Sequence, residues 1–219
     1  MAHTCKIFSP EDVGEIFDKA NKVGWKEDSL NRFRILDFGK EDKHGTFSSY
    51  QKYIYNKLNE NQDYSAFVVP RKTSIPLLYI SSEEHSETWQ YHRDDLNSSD
   101  MNREYSVILF MSDPDEYEGG EISIRIGGTE SVYKLPKGVC IIFPTSTYVK
   151  VSPVASGTRI LCRWTIETYV KNAEMFNINL QYNQLYRAFR ENLSPQADEV
   201  FTLTNNMLLN EIANFDLDD

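Results

Sequence analysis

His92 and Asp94 stand two positions apart in Trp89-Gln90-Tyr91-His92-Arg93-Asp94-Asp95. On a β-strand, residues i and i+2 lie on one face about 6–7 Å apart, so both side chains can converge on one metal ion. Imidazole plus carboxylate, with open positions left over, suits non-haem Fe(II). Further on, Arg159 follows Gly157-Thr158 at the head of a strand-like run. An arginine at the mouth of a small barrel can grip a carboxylate through two parallel hydrogen bonds. Either feature alone is commonplace; their combination across one strand-rich stretch is more specific. A further imidazole would complete such a site, and the stretch from Phe143 to Arg159 is a strand-rich one that could supply it. That stretch has none, and the remaining histidines, His3, His44 and His85, all precede His92.

The elements that must position these residues are legible as pattern. Ser9-Pro10-Glu11-Asp12 predicts a helix start, with Ser9 as the cap, Pro10 in the first turn and two acids favouring the helix dipole. Val13, Ile16, Phe17 and Ala20 follow at helical spacing, and Gly24 is expected to close the helix. Arg32-Phe33-Arg34-Ile35-Leu36 reads as a short strand. A second helix is expected from about Ser48 to Leu58, with Tyr50, Ile54 and Leu58 on one face.

From Phe67 the period shortens. Strands are expected around Leu77–Ile80, Thr88–Arg93, Tyr105–Met111, Glu121–Ile126, Ser131–Leu135, Val139–Phe143, Tyr148–Val151 and Arg159–Thr168. Gly119-Gly120, Gly127-Gly128, Pro136-Lys137-Gly138 and Ser156-Gly157 mark turns between them. Short strands at this spacing predict a sandwich or jelly roll. After Glu167 the helical period returns, with Leu180, Leu185, Phe189 and Leu193 on one helix and Val200, Leu203, Met207, Leu208 and Ile212 on another. Ser194-Pro195 separates the two, and the acidic Asp216–Asp219 end is expected to fray.

Composition narrows the class. A chain of 219 residues fits one domain, here divided into a helical part about 1–65, a β core about 66–170 and helices about 171–215. The formal net charge of −10 argues against general nucleic-acid binding, which relies on neutralising phosphates. Cys5, Cys140 and Cys162 have no CxxC spacing and form no disulfide framework; the last two sit in apolar runs as small core residues. No apolar run approaches the roughly 18 residues of a membrane span, and no secretory leader is evident. The expectation is a soluble protein of a reducing compartment such as the cytoplasm.

Four longer segments carry a family resemblance. Pro76-Leu77-Leu78-Tyr79 with Tyr91-His92-Arg93-Asp94, the run Ser106 to Glu121 with its Asp113-Pro114-Asp115-Glu116 turn and Gly119-Gly120-Glu121, Leu135-Pro136-Lys137-Gly138 with Phe143-Pro144-Thr145-Ser146, and Val151-Ser152-Pro153-Val154 through Gly157-Thr158-Arg159 resemble the PKHD-type hydroxylases. These are relatives of the prolyl 4-hydroxylases within the Fe(II)/2-oxoglutarate dioxygenases. The match spans about residues 65–170. It implies a mostly β fold with flanking helices, a double-stranded β-helix with a metal at one mouth. His92 and Asp94 would bind Fe(II), Arg159 would pair with the distal carboxylate of 2-oxoglutarate, and Tyr79 would donate a hydrogen bond to it. Oxidative decarboxylation of 2-oxoglutarate to succinate and CO2 would be coupled to hydroxylation of a C–H bond, with ascorbate as a possible reductant. The substrate by analogy is a peptidyl prolyl residue or another small side chain, and the polar run Leu96 to Arg103 is expected at the rim of the site.

One position departs from the resemblance. The family's second histidine falls five residues after the proline of the Phe-Pro turn and ten before the arginine. Both counts lead to Val149. Tyr148 and Lys150 should point away from the site if Val149 points in, while Thr147 and Val151 share its face but are poor ligands. His85, in the loop Ser81–Glu87, is the only histidine placed to fold over the barrel mouth. Three readings follow: a working dioxygenase with His92 and Asp94 as its protein ligands; a degenerate relative that binds 2-oxoglutarate or a partner without turnover; and a cupin-like binder of a sugar or small acid.

Overall fold

The computed structural model describes residues 2–27, 34–36, 46–85, 89–94, 97–98, 101–170 and 173–212. The chain begins with strand β1 (His3–Lys6), helix α1 (Pro10–Asn21), β2 (Trp25–Glu27), β3 (Arg34–Leu36), α2 (Thr46–Glu60) and α3 (Gln62–Val68). Strands follow as β4 (Pro70–Thr73), β5 (Leu77–Ser82), β6 (Trp89–His92), β7 (Asn97–Ser98), β8 (Met101–Asn102), β9 (Tyr105–Phe110), β10 (Tyr117–Gly119) and β11 (Ile122–Ile126). The strand region closes with β12 (Thr129–Tyr133), β13 (Val139–Pro144), β14 (Tyr148–Val151) and the long β15 (Val154–Thr168). Helices α4 (Ala173–Phe189) and α5 (Pro195–Ile212) end it, joined through a 3-10 turn at Arg190–Asn192.

Among the described residues, two antiparallel sheets make the jelly roll. The larger runs β1-β13-β9-β15-β5-β3-β2, with β4 and β10 also paired to β15; the smaller runs β12-β11-β14-β6. Alternation along β9 builds both cores at once. Ile108 and Phe110 face inward with Ile141, Phe143 and Leu161 of the larger sheet, against Ile122, Ile124 and Val149 of the smaller one. Val107 and Leu109 face the other way, onto a core completed by Tyr50, Ile54 and Leu58 of α2 and by Val13, Ile16 and Ala20 of α1. Period-2 burial on the strands and 3.6-period burial on the helices thus meet across one sheet.

The start of α1 forms by the expected chemistry. Ser9 Oγ accepts from the Asp12 amide at 3.1 Å and Asp12 Oδ2 accepts from the Ser9 amide at 2.8 Å, a reciprocal capping box with Pro10 in the first turn. The helix ends at Lys22 rather than at Gly24, which follows in the left-handed region with φ 94°. The second predicted helix starts earlier and ends later than expected, as α2.

Two boundaries near the site differ from expectation. Ser156-Gly157 is not a turn but lies within β15, which begins at Val154. The reason is β10: Tyr117 pairs directly with Gly157, whose φ is 77°, and a Cβ there would strike the Glu116 carbonyl oxygen. β6 stops at His92, so Asp94 follows the strand rather than sharing its face by strand geometry. Of the strand expected over residues 32–36, only Arg34–Leu36 is described, while residues 32–33 and 216–219 lie outside the described set.

The C-terminal helices pack mainly on each other through Tyr182, Tyr186 and Phe201, with ring centroids 5.0 and 5.4 Å apart. Leu185, Phe189, Val200, Leu203 and Met207 are exposed, so most of the expected apolar face is not buried, although Ile212 is, beside Val170 and Phe176. Leu193 falls beyond α4. No helix among the described residues is long and apolar enough to cross a membrane. The three cysteines are free thiols; Cys140 and Cys162 are fully buried core residues, and burial pushes the Cys5 thiol up to about 12.

Candidate functional site

His92 ends β6 directly opposite Val149 of β14. Its Nδ1 lies 3.1 Å from the Gln90 carbonyl oxygen, and its Nε2 lies 3.9 Å from Asp94 Oδ1. The two side chains expected to share a metal therefore do face each other, although the second reaches its place from irregular chain. Burial lowers the His92 pKa; the Gln90 and Val149 backbone groups oppose that, and the charge of Arg163 adds to it. The imidazole is accordingly neutral at pH 7, the form that offers a lone pair.

The Asp94 side chain is only 7 % exposed. Ser106 Oγ, at the start of β9, donates to its Oδ2 at 2.7 Å, and Thr145 Oγ1 lies 3.2 Å from the same hydroxyl. The Arg163 guanidinium forms an ion pair with that same Oδ2. Arg163 reaches the site because Arg159, Leu161 and Arg163 are alternate residues of β15, all on the face that lines the cavity between the sheets. The intervening Ile160 and Cys162, and Trp164 beyond them, face the opposite core.

Arg159 lines that cavity and is 3 % exposed. It lies within β15 rather than at its head. Its Nη1 donates to the Gly120 carbonyl at 2.8 Å and its Nη2 to Ser81 Oγ at 3.1 Å. Both partners follow from local structure. Ser81 sits opposite Arg159 in the β5–β15 register. Gly120 has φ 69°, and a Cβ there would crowd the Tyr117 ring at 3.0 Å. Tyr79, one residue pair along β5 on the same face, also lines the cavity. Tyr117 lies beside this cluster: burial raises its phenol to about 12, against the opposing charge of Arg159, and its hydroxyl has no hydrogen-bond partner among the described residues.

The remaining expectations sort cleanly. Val149 is buried and faces the cavity, Tyr148 is exposed, and Val151 shares the inward face. Thr147 is buried. His85 does not reach the metal position; its Nε2 lies 3.6 Å from Glu27 Oε1, and its backbone closes a turn with Ser82. Residues 86–87 of that loop lie outside the described set, as do 96, 99 and 100 of the expected rim, where β7 and β8 pair as a short hairpin. The residues that pattern reading missed are Arg163, Ser106 and Tyr117. For Arg163 a signal existed, since it is four positions from Arg159 and hence on its face.

The donor set fits the two implied groups unequally. A buried arginine, a serine hydroxyl, Tyr79 and the nearby Tyr117 suit a small dicarboxylate. For a divalent cation the chain offers His92 and Asp94, neutral nitrogen and carboxylate oxygen, a ligand pair appropriate to Fe(II). No group of three or more His, Cys, Asp or Glu side chains that could hold a metal occurs among the described residues. Among the described residues, a metal here would therefore have two protein ligands.

Comparison with known proteins bears on the family and the fold. The model of the 2OG-Fe(II) oxygenase superfamily matches residues 77–171. A PKHD-type hydroxylase of Prochlorococcus marinus is 36% identical over 147 residues, 65% of this chain and 65% of that protein. The PKHD-type hydroxylase YbiX of Escherichia coli is 25% identical over 219 residues, 94% of each chain. Among solved structures, a Trichoplax adhaerens prolyl hydroxylase in complex with a hypoxia-inducible-factor peptide fragment is similar with a TM-score of 0.56 and 12% identity, covering 75% of this chain and 82% of that one.

Proposed function

We propose, from the match of residues 77–171 to the 2OG-Fe(II) oxygenase superfamily and the 36% identity to a PKHD-type hydroxylase, that this chain is a 2OG-Fe(II) oxygenase with Fe(II) and 2-oxoglutarate as cofactors, and that it hydroxylates a peptidyl side chain, with proline the first candidate. The observation that carries the reading is Arg159, a buried guanidinium on the same strand face and in the same cavity as the residues around His92 and Asp94. Fe(II), when bound, supplies oxygen activation; O2, 2-oxoglutarate and the C–H substrate yield succinate, CO2 and the hydroxylated product.

The chain's own residues do the positioning. Arg159, fixed by Gly120 and Ser81, presents donors to the distal carboxylate of 2-oxoglutarate, and Tyr79 adds a hydroxyl from β5. His92 and Asp94 would hold the metal. Ile108, Ile122, Phe143 and Leu161 keep the cavity wall apolar, which excludes water and strengthens polar contacts within it. A peptide substrate is supported by the peptide seen in the Trichoplax relative and by the hydroxylase names of the PKHD-type relatives. The net charge of −10 favours neutral or basic peptides.

The test is succinate formation from 2-oxoglutarate under air with excess Fe(II) and ascorbate, with and without proline-containing peptides. Succinate that depends on Asp94 and Arg159 supports the hydroxylase. A second reading, 2-oxoglutarate binding without turnover, draws on Val149 standing opposite His92. It gains if the parent binds 2-oxoglutarate through Arg159 yet forms no succinate at any Fe(II) concentration.

A further inference from the structure

We propose that Arg163 is an internal cation seated against the metal-ligating carboxylate, and that a divalent metal enters the His92/Asp94 site by displacing it. The proposal rests on the reading of His92 and Asp94 as ligands. Three observations carry it. Arg163 pairs with Asp94 Oδ2 while the other carboxylate oxygen faces His92 Nε2 at 3.9 Å, so guanidinium and metal would draw on one carboxylate from adjoining sides. The carboxylate side chain is 7 % exposed and that of the arginine 22 %, so the pair is little screened by solvent. Val149 stands opposite His92, where it offers no lone pair.

The electrostatics point one way. A guanidinium stays charged at any accessible pH, so the Asp94–Arg163 pair is neutral as a unit. An approaching divalent cation therefore meets no net charge from this pair while Arg163 stays in place, whereas Asp94 alone would present −1. Metal affinity is then set by competition for Asp94, on top of the lost third ligand. Arg163 is the partner that can swing away, since it reaches the site from β15 through a long flexible stem and is the more exposed of the two.

The experiment is Mn(II) binding to the full chain without 2-oxoglutarate, read from the paramagnetic resonance signal of the free aqua ion. R163M and R163Q are compared with the parent, each with and without V149H. The expected result is at least tenfold tighter Mn(II) binding on removal of the charge, and a larger gain from V149H once Arg163 is gone. Affinities within twofold, with V149H acting equally in both backgrounds, would overturn the proposal. Adding D94A to R163M separates it from the ligand assignment: loss of the gained affinity places the metal on Asp94, whereas retained tight binding sinks both. If neither Arg163 variant folds alone, recovery of the folded circular-dichroism spectrum on adding Mn(II) supports displacement, and failure to recover counts against it.

Discussion

Arg159 and Arg163 lie four residues apart on one strand face and meet opposite partners, one two neutral oxygens and the other a carboxylate. That difference assigns them different work. Charge-assisted hydrogen bonds to a ligand carboxylate are worth about 1.5–3 kcal/mol, so R159A should weaken 2-oxoglutarate binding roughly 10- to 100-fold by isothermal titration. An unchanged affinity would place the dicarboxylate elsewhere. The spacing of His92 and Asp94 singled out that pair, and the family resemblance singled out Arg159 and the departure at Val149. Arg163 shares the face of Arg159 by spacing, but nothing in the sequence shows that this face is the inward one until a fixed partner does. Away from the site, Asp12 tests the same electrostatics. Burial raises its pKa, but the Tyr53 hydroxyl, the Ser9 amide and Lys57 outweigh that and hold the carboxyl well below the usual range. A depressed folded pKa contributes stability above the ordinary value that is lost as pH falls below about 4. D12N should cost about 1 kcal/mol at pH 7, in line with a lost cap, and should flatten the acid limb of a urea-denaturation series below pH 4. A limb as steep as the parent's would contradict this assignment.

At the scale of elements, the helix with a full capping signal and the strands with apolar alternation were predictable, and their ends were not. β1 is a short edge strand that pairs with β13 and lacks an apolar run. α3 is brief and polar at its start, and only its partner, the Asn61 side chain accepting from Tyr64 N at 2.9 Å, marks its beginning. β15 runs through Gly157 because β10 needs a neighbour without a side chain there. Such ends are decided by what packs alongside, which local pattern does not contain. The same rule makes a prediction at Gly138, which has φ 86° and whose Cβ would run into the Phe8 carbonyl oxygen, the point where the chain passes from β1 into α1. G138A should destabilise by roughly 1–3 kcal/mol, the range for an ordinary residue held in a disfavoured backbone region. A melting temperature equal to the parent's would mean that this junction is looser than it looks.

At the scale of the whole molecule, stability is concentrated where α1 and α2 cover the larger sheet, not in the C-terminal helices. Ile54 is fully buried there, whereas Met207 is 70% exposed. I54A should cost about 2–5 kcal/mol and M207A less than about 0.5 kcal/mol in urea denaturation; comparable losses would show that the exposed helical face is covered in solution. Strand and turn spacing made a sandwich or jelly roll legible but not its two cores, and the helical period alone could not tell a buried apolar face from an exposed one. The sheet-against-sheet cavity in turn brings two arginines and one imidazole together beside one carboxylate, with no third metal ligand among the described residues. The most direct test of the account is an anaerobic titration of the chain with Fe(II) in the presence of 2-oxoglutarate, followed by the metal-to-ligand absorbance band. The account predicts a band that grows only at Fe(II) well above the protein concentration, disappears in D94A, and saturates at lower Fe(II) in R163M. No band at any Fe(II) concentration, in either the parent or R163M, would contradict it.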